Sequence, residues 1–145
     1  MKHLLVLSIA LCFFSSFAIA DLLKDEKAAS SLVISAMEKL SKKGTRGVFE
    51  VMAPYWTQTK TELEAIISDS LRTREQALQQ KKDGKYIGFE KLFEKKIGDS
   101  LFMVVMLEKN EKRGIPWYFS FYRPRDSWVV WSVYWNPNYE MLLLK

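Results

Sequence analysis

Four of the chain's five tryptophans lie between Trp117 and Trp135, on two stretches that read as β-strands apolar on both faces. Successive strand residues point to opposite sides of a sheet. Trp117, Phe119 and Phe121 therefore share one side of the first stretch, and Tyr118, Ser120 and Tyr122 share the other. In the second, Trp128, Val130 and Tyr134 face one way while Val129, Trp131, Val133 and Trp135 face the other. A sheet with one wet face shows a polar residue at every second position. This one needs a cover on both sides, and the rest of the chain is short enough to supply only one. A second copy of the chain, docked on the outer sheet face as a homodimer, is the simplest second cover, because two-fold dimers are the commonest oligomers. A bound small apolar ligand or a partner protein is the alternative.

The covering elements precede the sheet. Ala29, Leu32, Val33, Ala36, Met37 and Leu40 recur at helical spacing, which predicts a helix over Asp21 to Lys43, closed by Gly44. A short second helix is expected from Thr45 until Pro54 ends it. Thr59 and Glu62 stand in capping-box spacing ahead of Leu63, Ile66, Ile67, Leu71 and Leu78, which predicts a third helix running to about residue 80. Arg74 falls beside that apolar stripe, and its stem is expected to lie along the core with the guanidinium in water. After Asp83-Gly84 the period changes. Strands are expected over Tyr86 to Ile97, Leu101 to Lys109, Ile115 to Arg123 and Trp128 to Asn136, joined by short turns that permit only antiparallel neighbours. The expected class is α+β, three N-terminal helices packed on a curved four-stranded antiparallel meander.

Residues 1–20 have the layout of a signal peptide: Lys2, an apolar run from Leu4 to Phe17 interrupted by serines, then Ala18-Ile19-Ala20 before Asp21. The run is shorter than the ~20 apolar residues of a spanning helix. Cleavage after Ala20 would give a secreted or periplasmic protein with one domain over 21–145. It would also remove His3 and Cys12, the only histidine and cysteine, and with them thiol nucleophiles, His-dependent triads and His- or Cys-ligated metals. The net charge is +5 for the chain, so +4 once Lys2 is gone. No phosphate loop or dinucleotide fingerprint is present, and neither a cofactor nor a metal is expected.

Helices followed by a curved meander, with Gly98-Asp99-Ser100-Leu101 opening the second strand and Phe121-Tyr122-Arg123-Pro124-Arg125-Asp126-Ser127-Trp128 spanning the last hairpin, resemble the nuclear transport factor 2-like superfamily. Within it, the chain is similar to small bacterial secreted proteins. The resemblance implies a cone of sheet wrapped around helices, a cavity at its wide end, and dimerisation through the outer sheet face. Relatives include polyketide cyclases and steroid isomerases that use an acid or a His-Asp pair inside the cone. This chain lacks the histidine, and no catalytic residue carries over.

The expected function is a secreted, non-catalytic binding domain for a small apolar ligand or a protein partner. Tyr55, Trp56, Tyr86, Trp117, Trp131 and Tyr134 are the candidate pocket wall. One alternative is an acid/base enzyme of the cyclase or isomerase type working without imidazole, with Glu50, Glu90 and Glu94 as candidate acids. The other is an envelope protein using a basic patch. Alternate turns of a meander lie at one end, so Lys81, Lys82 and Lys85 should meet Lys109, Lys112 and Arg113 and could face an anionic surface. Nucleic acid is not an expected partner of a secreted chain.

Overall fold

A computed structural model of the chain describes residues 22–79, 83–138 and 142. The expected leader, Lys81 and Lys82 therefore lie outside the described residues. The order of elements is α1 (Glu26–Met52), a single 3₁₀ turn (Ala53–Tyr55), α2 (Lys60–Gln79), β1 (Tyr86–Ile97), β2 (Leu101–Asn110), β3 (Gly114–Tyr122) and β4 (Val129–Trp135). The class is α+β.

Two helices stand where three were expected. Asp25 opens α1 by accepting a hydrogen bond from the Ala28 backbone N–H at 2.7 Å. Gly44 leaves helical geometry (φ 64°, ψ −159°) but does not end the helix, which resumes at the next residue. The resumed segment turns tightly on what precedes it, because Gly47 has no Cβ: one placed there would lie 2.9 Å from the Lys39 carbonyl oxygen. Val33, Ala36, Met37 and Leu40 before the break, and Val48, Phe49 and Met52 after it, are all buried. The expected first and second helices are thus one bent element on one core. The capping box ahead of α2 forms as spaced, with the Thr59 N–H donating to Glu62 Oε2 (2.9 Å) and the Glu62 N–H donating to Thr59 Oγ1 (3.3 Å).

The four strands pair in chain order, each antiparallel to the next. On the inner face Phe102, Val104 and Met106 of β2, Trp117, Phe119 and Phe121 of β3, and Trp128, Val130 and Val133 at β4 pack against α1. The register shifts between Ser120 and Phe121, which pair with Ser132 and Val130 and leave Trp131 as the extra residue. That bulge changes the faces of β4. Val130, Val133 and Trp135 look inward, opposite to the strict alternation that would group Val133 and Trp135 with Trp131.

Both sides of the sheet have distinct edges. β4 is sealed: Leu23 and Trp128 exchange backbone hydrogen bonds (3.0 and 2.7 Å), and Trp56 bridges to Val130. β1 is the open edge, twelve residues long, with register shifts at two points. Among the described residues no helix is long and apolar enough to cross a membrane.

Candidate functional site

The interior holds an ionic latch rather than a ligand chamber. Glu108 continues the inward series Phe102, Val104, Met106 near the end of β2, a carboxylate where the pattern places an apolar side chain. Arg74 comes down on it from α2, Asp83 from the connection into β1, and Arg113 from the turn into β3. Arg74, Asp83 and Glu108 are 4 %, 1 % and 3 % exposed. Arg74 bonds Asp83 Oδ2 through Nη1 (3.1 Å) and Glu108 Oε1 through Nη2, while Arg113 pairs with Asp83. Asn110 donates to Glu108 Oε1 (3.0 Å) and the Trp117 indole N–H to Oε2 (2.8 Å). The Arg74 guanidinium also lies 5.3 Å from the Trp135 ring centre. Two cations match two anions, which is what lets these charges leave water. The Arg74 head group is therefore buried and paired, contrary to the expectation that it reaches solvent.

This arrangement ties α2 to the sheet. A general base needs an oxygen within reach of a substrate proton. Both oxygens of Glu108 already accept from protein donors in a buried setting. The three acids anticipated as catalytic lie elsewhere. Glu50 pairs with Lys43 on the exposed side of α1 (2.8 Å), and that bond holds its carboxyl below the usual range. Glu94 accepts from Ser30 (2.6 Å) and Lys91 (2.9 Å), which lowers its pKa too. Glu90 faces Lys109 at 3.6 Å.

The six aromatic candidates do not share a wall. Trp117 is fully buried in the core, stacked on Phe119, and Trp56 is buried against Phe49. Tyr55 is half-buried beside the same core. Tyr86 lies at the edge of the latch, where burial and then the charge of Glu108 push its phenol up. Trp131 and Tyr134 are on the outer face. The interior that a ligand was expected to occupy is filled by Phe49, Met106, Trp117, Phe119, Phe121 and Trp128, each no more than 1 % exposed. As for the basic residues, the Glu111 N–H donates to the Lys85 carbonyl (2.9 Å), so the two turns do meet. Lys109 and Arg113 are paired with acids, and the Lys112 backbone N–H bonds the Asp83 carbonyl (3.0 Å).

The outer face of the sheet is apolar and exposed. Register places Ile97, Leu101, Tyr122 and Val129 in one row across it, and Phe93, Val105, Tyr118 and Tyr134 in another. Between them runs Lys95, Met103, Ser120, Ser132. The two serines make this middle row low, and a depression of about 260 Å³ opens there, bordered by Ile97, Leu101, Met103 and Trp131. Trp131, set forward by the bulge, is 55 % exposed beside it. Ile97, Tyr122, Phe93 and Tyr134 are also exposed. Tyr118 stacks on Tyr134 (4.8 Å), and its buried hydroxyl has no hydrogen-bond partner among the described residues. The alternation of apolar residues announced this face, but only the bulge makes it uneven. Among the described residues no three His, Cys, Asp or Glu side chains converge as a metal site. Comparison with known protein families, curated proteins and solved structures finds no significant match.

Proposed function

We propose that the protein is a secreted, non-catalytic assembly domain that works by pairing its outer sheet face with a second copy of itself. The observation that carries this reading is the knob beside the hole. Trp131 projects next to the depression over Ser120 and Ser132, so a two-fold axis through the face seats each indole in the other copy's hollow. Tryptophan is the residue most often found at the energetic centre of such contacts. Charge supports the same partner, since Glu90 and Lys95 on this face have opposite sign and a two-fold axis can oppose them. Size supports it as well. Four strands at about 4.8 Å spacing and ten residues at about 3.4 Å give a flat footprint of about 650 Å², before side-chain relief is added. A standard interface uses about 800 Å² per partner.

Sedimentation velocity tests the reading. The wild-type chain should run as a dimer at micromolar concentration, and Trp131→Glu should run as a folded monomer with an unchanged far-UV spectrum. A wild-type chain that stays monomeric at high concentration would overturn it.

A further inference from the structure

A second hollow, of about 520 Å³, lies where α2 passes the last residues of β4. It shares no lining residue with the depression on the outer face. Tyr134 and Trp135 both border it, and consecutive strand residues face opposite sides of a sheet, so the hollow sits at the sheet's free rim. Leu23 and Trp56 cover that rim only as far as Val130. The Asn136 N–H bonds the Pro116 carbonyl on β3 (3.0 Å), which makes Trp135 a non-bonded position in the ladder and turns its N–H and C=O away from β3.

The two walls differ in chemistry. Asp69, Thr73 and Gln76 recur at spacings of four and three, with Ser70 beside them, so α2 gives the hollow a polar face while Ile67 and Arg74 are buried. The other wall is made by Tyr134, Trp135 and Arg113. Both rings are held without a ligand: Tyr134 stacks on Tyr118 at 4.8 Å, and the Arg74 guanidinium lies 5.3 Å from the Trp135 ring centre. Rings fixed in advance cost a guest little ordering.

The polar groups are mixed and their charges are matched. Arg113 carries N–H donors, Ser70 and Gln76 both donate and accept, and Thr73 accepts, because its proton goes to the Asp69 carbonyl oxygen (2.9 Å). Asp69 pairs with Arg72, and Arg113 with Asp83. An anion would meet Asp69, a cation would meet Arg113, and a wholly apolar guest would dry the polar wall. A sugar suits both walls, since its C–H flank is apolar and each hydroxyl donates and accepts. The volume falls within the ~300–1,000 Å³ of ordinary ligand sites.

We propose that this hollow binds an uncharged saccharide, with a sugar ring against Tyr134 and Trp135 and its hydroxyls bonded to Asp69, Ser70, Gln76 and Arg113. The site is built from a single chain and stands whether or not the outer faces pair.

An array of neutral and acidic oligosaccharides, probed with the labelled protein, selects the sugar, and NMR titration with that sugar locates it. At least one neutral oligosaccharide should bind. Its titration should move the Trp135 indole signal and the Ser70 and Gln76 amides saturably, and leave the Trp131 indole in place. Gln76→Ala, an exposed change, should weaken binding about tenfold with thermal unfolding unchanged, and Tyr134→Ala at least as much. Binding of acidic sugars alone or of none, shifts centred on Trp131, or an affinity indifferent to both substitutions overturns the proposal.

Discussion

Glu108 shows how one side chain can fix the position of an element. Arg74 has no other described tie between the latter half of α2 and the sheet of comparable burial, so the latch sets where that helix lies. Removing one member of a buried ion pair leaves its partner charged and dry, at a cost of about 3–5 kcal/mol. Glu108→Ala should therefore lower the urea unfolding free energy by about that much. Arg74→Met combined with Glu108→Leu should cost less than the two single changes together, because no orphaned charge remains between them. Trp117→Phe removes one donor to Glu108 and also leaves a cavity where the indole is fully buried, so it should cost more than the about 1–3 kcal/mol of the lost hydrogen bond alone. Glu94 gives a pH dependence. The Ser30 hydroxyl and then the Lys91 ammonium hold its carboxyl below the ordinary range. Its stabilisation is complete above that range and is lost as pH falls through the depressed value. Ser30→Ala should therefore lower stability at neutral pH and leave the strongly acid end nearly unchanged, flattening the acid limb measured by urea titration at successive pH values.

At the level of elements, the legible parts were those with local signals. The Thr59–Glu62 capping box, the strand spans and the turn at Gly98 each follow from neighbouring residues, and each forms. The break at Gly44 was read as a stop. A glycine with positive φ serves for a stop or a bend, and what decides here is Gly47 packing on the Lys39 carbonyl, a contact no periodicity announces. The bulge at Trp131 was missed for the same reason: it is set by pairing with β3 and inverts the faces assigned to Val133 and Trp135. The latch was half legible. Glu108 breaks an apolar series, but its counter-ion is 34 residues away on another element. Gly44→Ala tests the bend. Its φ and ψ are accessible almost only to glycine, and open space surrounds the absent Cβ, so the cost is backbone strain alone, about 1–3 kcal/mol. Thermal unfolding followed by circular dichroism should show that loss with helix content retained.

For the whole molecule, the two apolar surfaces of the sheet have different fates. α1 fills one, and the other keeps Phe93, Ile97, Tyr122, Trp131 and Tyr134 exposed. The open edge at β1 is guarded by Lys91, Lys95 and Lys96 and by its two irregular points, devices that discourage strand addition. Replacing Lys91 and Lys95 together with valine should raise light scattering during refolding while leaving the folded spectrum unchanged. The opposite edge was closed by Leu23 and Trp56. Should two molecules ever join rim to rim along β1, each would present only its stoppered side to the next arrival. Polymer growth would end at a pair, and a fibre could not propagate.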